Sequence, residues 1–136
     1  MVDDESDVVE LVCTALRMEG YEVESASNGL EALNKARSSL PDVVVLDLML
    51  PELDGTAVCE IMRRLPSTAN VPILILTACV TDAARHIALD AGANAYLTKP
   101  FSPRELVLHV NQLALQRPAV DPLDEIDDDE DEGWRE

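Results

Sequence analysis

Three carboxylates, a hydroxyl and an ammonium each stand at the C-terminal end of an apolar run. Asp3 and Asp4 follow Met1–Val2, Asp47 follows Val43–Leu46, Thr77 follows Ile73–Leu76, and Lys99 follows Ala95–Thr98. If the runs are parallel strands of one sheet, all five side chains reach the rim where open α/β sheets bind ligands. Carboxylates this close repel one another and push their own pKa values up. A hard divalent cation relieves that strain, and Mg²⁺ in particular takes one or two carboxylates together with phosphate oxygens. Lys99 adds a mobile positive charge and Thr77 a hydroxyl donor. Together these groups would clamp the oxygens of a phosphoryl group while a carboxylate attacks phosphorus. Taken singly, each residue has a commoner structural explanation, because acidic pairs, Lys-Pro steps and strand-end threonines abound. The weight lies in the order, one set after each of four apolar runs.

The intervening segments read as helices that would hold those runs in place. Val8, Val12 and Leu16 recur at helical spacing over Ser6–Glu19, and Gly20 stops that helix in the manner of a C′ glycine. Tyr21–Ala26 alternates apolar and polar residues and predicts a strand. Asn28 with Glu31 three positions on starts the next helix, whose apolar face is Leu30, Leu33 and Ala36, and Pro41 closes it. Val43–Leu46 and Ile73–Leu76 are apolar on both alternations, as expected of parallel strands covered on both faces. Between them Asp54 caps a helix carrying Val58, Ile61, Met62 and Leu65. Thr81–Ala91 predicts an alanine-rich helix ended by Gly92, followed by a short strand, Asn94–Thr98. Ser102–Pro103–Arg104–Glu105 combines an N-cap serine, an N1 proline and an N3 glutamate, opening a last helix that runs to about Gln116. Strands alternating with helices in this way predict a doubly wound parallel α/β sheet with helices on both faces.

Composition narrows the function. The 136 residues are 47% hydrophobic, enough for one real core, and no apolar stretch approaches the ~18–20 residues that span a bilayer. The N-terminus lacks a secretory pattern, so a cytoplasmic protein without membrane contact is expected. Cys13, Cys59 and Cys79 are odd in number and widely spaced, which reads as buried reduced thiols. Residues 121–136 hold ten Asp and Glu against one Arg, with six consecutive acidic residues at 127–132. Such a block repels its own collapse, so 118–136 is expected to be a disordered acidic tail in which Trp134 is a solvated aromatic. With a net charge of −17, the chain is not expected to bind nucleic acid directly.

Several stretches taken together resemble the receiver domain of bacterial two-component response regulators, over Met1 to about Arg117. They are VDDE at 2–5, VVVLDLMLPELDG at 43–55, PILILTA at 72–78, AGANAYLTKPF at 91–101 and SPREL at 102–106. The resemblance implies a flavodoxin-like sheet of five parallel strands in the order 2-1-3-4-5, counted along the chain. It implies that Asp47 accepts a phosphoryl group from a histidine kinase or histidine phosphotransfer protein, with Mg²⁺ as cofactor. The metal would be held by Asp4 and Asp47, by Asp3 through water, and by the main-chain carbonyl of Met49. Thr77 and Lys99 match the family's switch hydroxyl and phosphate-binding lysine, Tyr96 matches its switch aromatic, and the Lys99–Pro100 bond is expected to be cis. Phosphorylation would re-form the face made by helix 81–91, strand 94–98 and helix 102–116. That face would then bind a downstream protein or a second copy of the chain. Ala78 leaves the site open to donors, and neither Met49 nor Cys79 can orient water, so slow self-dephosphorylation is expected.

The chain would thus be a single-domain response regulator, not an enzyme acting on a separate substrate. Two other readings compete: a degenerate receiver acting as a phosphorylation-independent interaction domain, and an aspartyl-phosphate phosphotransferase or phosphatase. One departure from the family pattern stands out. Only Met1 and Val2 precede the acidic pair, where receivers carry about four or five further apolar residues. This truncates the first strand, which in the order 2-1-3-4-5 is an internal one. Three or four missing buried aliphatics, at roughly 1.5–3 kcal/mol each, rival a whole domain's typical stability of about 5–15 kcal/mol. The expectation is that the native start lies upstream of Met1, or else that Asp3 and Asp4 are poorly fixed.

Overall fold

In the two central runs, successive side chains enter opposite layers. Val44 and Leu46 join one apolar cluster and Val45 the other; Ile73 and Ile75 join the first, Leu74 and Leu76 the second. This period of two is what a strand buried on both faces requires. The computed structural model describes residues 1–48, 50, 54–78 and 81–116. In chain order the elements are α1 (Ser6–Met18), α2 (Gly29–Ser39), β1 (Val44–Leu46), α3 (Gly55–Arg64), β2 (Ile73–Thr77), α4 (Asp82–Asp90), β3 (Ala95–Thr98) and α5 (Pro103–Gln116). The strands β1, β2 and β3 lie side by side in that order and pair in parallel. The first cluster receives side chains from α2, α3 and α4, the second from α1 and α5, so helices cover both faces. Met49, Cys79 and the expected tail 118–136 with Trp134 lie outside the described residues.

Local chemistry sets the helix ends. Asn28 Oδ1 accepts a hydrogen bond from Glu31 N at 2.8 Å, and Glu31 Oε1 accepts one from Ser27 N at 2.8 Å, closing the start of α2. Asp54 caps α3 through Ala57 N at 2.9 Å. Ser102 Oγ accepts from Glu105 N at 3.0 Å, the box anticipated for α5. Thr81 does the same for α4 through Ala84 N at 3.1 Å. Gly20 and Gly92 adopt positive φ of 94° and 115°, as glycines that end helices do.

The first strand is a stub, as expected, and the second differs from expectation. Tyr21–Ala26 forms no continuous strand; only Ala26 bridges, in parallel, to Val2, and Val2 bridges in turn to Leu46. A three-residue stub, Met1–Asp3, lies between the 21–26 segment and β1, and its backbone bonds to both. Asp3 N and the Met1 carbonyl bond to Ala26 at 3.2 and 2.9 Å, while Val2 bonds to the Val45 carbonyl and to Asp47 N at 2.7 and 2.9 Å. The spatial order is therefore segment 21–26, Met1–Asp3, β1, β2, β3, which is 2-1-3-4-5. Beside Met1 a cavity of about 610 Å³ opens between the 21–26 segment and residues 42–45, lined also by Leu16, Val110, Ala32 and Ala36.

Candidate functional site

Each side chain of the site is carried by the last residue of a strand or the residue just after it, and short backbone bonds tie those ends together. Asp47 N donates to the Val2 carbonyl at 2.9 Å, which sets the end of β1 beside the stub. Lys99 N donates to the Thr77 carbonyl at 2.8 Å, which sets the residue after β3 beside the end of β2. The Lys99–Pro100 bond is cis. Gly55, the first residue of α3, packs directly on the acidic residue: a Cβ there would lie 2.4 Å from the Asp47 carbonyl oxygen and 2.8 Å from Leu48 Cα. Only glycine permits that approach, and Gly55 N donates to the Leu48 carbonyl at 3.0 Å across it.

The side chains meet at the Lys99 ammonium. Its Nζ lies 2.9 Å from Asp3 Oδ2, 3.0 Å from Asp47 Oδ2 and 3.0 Å from Glu5 Oε1. Asp3 is 1% exposed and Asp47 3%, so two of these carboxylates are buried, whereas the Glu5 side chain is 62% exposed. Burial pulls the Lys99 pKa down, but bonds to Asp3, Glu5 and Asp47 outweigh it and hold the ammonium well above its ordinary range. Asp3 is shifted up: its burial, with the Asp47 charge adding to it, outweighs the bonds from Glu5 N and Lys99. Far from being loosely held, Asp3 is bonded through its backbone to Ala26 and through both carboxylate oxygens, with Oδ1 accepting from Glu5 N at 2.9 Å.

Asp3, Asp4 and Asp47 each offer an oxygen within 4.8 Å of the other two, two of them buried and Asp4 exposed. Three hard oxygen donors, one facing solvent, suit a cation that keeps some of its water, and Mg²⁺ is such an ion. Thr77 is fully buried at the end of β2, in register with Thr98. Tyr96 pairs with Ile75 and is half-buried against the α2–α3–α4 layer. Asp3, Asp47 and Lys99 are thus in direct contact, Asp4 joins them through the acidic cluster, and Thr77 is tied to Lys99 through its backbone. Sequence reasoning overlooked Glu5 and Gly55. Both lay within stretches already singled out, VDDE and VVVLDLMLPELDG, but only packing shows that one touches Lys99 and the other abuts Asp47.

A family model described as the response regulator receiver domain matches residues 1–111. The chain belongs to that family. It is 43% identical over 133 residues to the alkaline phosphatase synthesis transcriptional regulatory protein PhoP of Bacillus subtilis, covering 98% of this chain and 55% of the relative. The receiver thus spans about half the length of the curated relatives it matches. A putative response regulator from Chloroflexus aurantiacus superposes with a TM-score of 0.81 at 43% identity, covering 85% of this chain and 94% of that one. The receiver domain of the sensor histidine kinase PA1611 from Pseudomonas aeruginosa superposes with a TM-score of 0.79 at 31% identity, covering 85% and 94%. That protein holds a magnesium ion in its active-site cleft. This receiver domain is therefore a two-component signalling module with the flavodoxin-like fold. None of its described helices is long and apolar enough to cross a membrane.

Proposed function

We propose that Asp47 accepts a phosphoryl group from a phosphohistidine on a histidine kinase or phosphotransfer protein, and that the modified domain then docks a downstream partner. The observation that carries this is the convergence of Lys99 with Asp47 and Asp3, each within 3.0 Å, beside a three-carboxylate cluster. Asp47 Oδ attacks phosphorus; an O–P bond forms as the N–P bond breaks, and its electron pair stays on the imidazole nitrogen of the donor. A hard divalent cation held by Asp3, Asp4 and Asp47, Mg²⁺ by its chemistry, would add positive charge on the phosphoryl oxygens. Lys99 neutralises a phosphoryl oxygen, and the Thr77 hydroxyl donates to another. The Met49 carbonyl is assigned to the same cation on family grounds alone.

The added group brings roughly −1.5 to −2 charge and three acceptor oxygens. Thr77 moving toward them vacates space beside β2 into which Tyr96 turns, and this re-forms the face of α4, β3 and α5. The transcriptional role named for the Bacillus relative supports an output in gene control. On that reading the acidic receiver is the controlling element, and its own surface does not contact DNA.

The test is incubation with Mg²⁺ and a small acyl-phosphate donor, followed by intact-mass measurement. One phosphoryl increment that disappears in Asp47→Asn is the expected result. Turnover of a third molecule would instead indicate a phosphotransferase or phosphatase. Absence of any label would indicate a phosphorylation-independent interaction domain.

A further inference from the structure

Lys99 has three N–H donors, and three carboxylates already occupy them: Asp3 at 2.9 Å, Glu5 at 3.0 Å and Asp47 at 3.0 Å. An incoming phosphoryl oxygen therefore meets a saturated ammonium, and one existing bond has to yield before Lys99 can reach it. The three partners are not equivalent. Asp3 and Asp47 are buried, and both belong to the acidic cluster beside the ammonium. Water does not reach either carboxylate to replace a lost bond to the ammonium, which makes that bond costly to give up. Glu5 stands outside that cluster, and its side chain is 62% exposed, so water replaces Lys99 there at little cost. Glu5 is also placed with some rigidity, because its backbone N–H is bonded to Asp3 Oδ1 at 2.9 Å immediately before α1.

We infer that Glu5 is a positioning residue that holds Lys99 in a resting pose and competes with the phosphoryl oxygens for its third N–H. The inference rests on the phosphoryl-acceptor reading of Asp47. Glu5 thereby sets how readily the domain takes up the phosphoryl group: the Lys99–Glu5 bond is the one exchanged for a Lys99–phosphoryl bond.

The experiment titrates the full chain, in saturating Mg²⁺, with beryllofluoride as a phosphoryl mimic, followed by the ¹⁹F resonance of the bound species. Wild type, Glu5→Gln and Glu5→Ala are compared, each first shown to be folded by its thermal transition. Both variants are expected to bind the mimic about two- to fivefold more tightly, the scale that an exposed ion pair carries. Affinity for Mg²⁺ alone should move the other way, since a nearby negative charge has been removed; general loosening of the site would weaken both. The gain should vanish when the Glu5 substitutions are placed on Lys99→Ala, because the competition needs the ammonium. Unchanged or weakened binding of the mimic in both variants overturns the inference, as does a gain that survives in Lys99→Ala. A wild-type chain that binds no mimic and takes no label on Asp47 removes the acceptor reading itself, and this inference with it.

Discussion

The two halves of the sheet are built to very different standards. On one side β1, β2 and β3 pair without interruption, and Ile73, Leu74, Ile75 and Leu76 are fully buried between helix layers. On the other side Met1–Asp3 bridges its neighbours only through Val2, the 21–26 segment bridges only at Ala26, and a cavity of about 610 Å³ lies beside Met1 and Val2. Yet the candidate site draws on both halves equally: Asp3 comes from the weak side, Lys99 from the strong side, and they touch at 2.9 Å. A rim site needs only the last residues of its strands.

The sharpest way to break this comparison is to truncate one apolar side chain in each half. Ile75→Ala, at a fully buried central position, should cost about 2–5 kcal/mol in urea unfolding. Val23→Ala, lining the cavity, should cost under about 1 kcal/mol, because its surroundings are already open. Equal costs would show that the weak half is as well packed as the strong one. Next in size is Gly55→Ala, whose Cβ meets backbone of Asp47 and Leu48 and not a yielding side chain. It should destabilise by about 1–3 kcal/mol and lower the labelling of Asp47 by an acyl phosphate. Normal labelling in a folded Gly55→Ala protein would uncouple α3 from the site.

A smaller gain is expected from adding five alternating apolar residues ahead of Met1. Filling the cavity should raise the melting temperature by roughly 4–8 °C for each kcal/mol recovered, with Asp47 labelling left intact. No rise would mean that the cavity carries no recoverable stability. The smallest effect concerns pH. Lys99 is held above its ordinary value of 10.5, so it binds its proton more tightly folded than unfolded. Its contribution should be fully present below about pH 10.5 and be lost as pH rises through the folded value. The stability difference between wild type and Lys99→Met, followed by denaturant midpoint, should be flat at neutral pH and shrink in alkali.

Much of this was legible in the residues. Helix starts at Asn28, Asp54 and Ser102 were readable because a cap is a local bond between neighbours in the chain. The doubly buried runs at β1 and β2 were readable because their apolar residues fall on both alternations. Tyr21–Ala26 alternates as a strand would but bridges only at Ala26, because a strand exists only where a partner supplies its hydrogen bonds. Of the two residues expected to be poorly fixed, Asp3 is held by the backbone bonds that the stub makes to both neighbours, a feature that counting missing side chains does not reveal.

By itself the sequence determined which residue types terminate the strands and in what order, because periodicity and capping act over a few positions of the chain. Tertiary structure alone decided that three carboxylates share one ammonium, that Glu5 is among them, and that Gly55 lies against the backbone of Asp47. Those contacts join residues up to 96 positions apart. Nothing in local preference specifies such distances; the register of one strand against the next does.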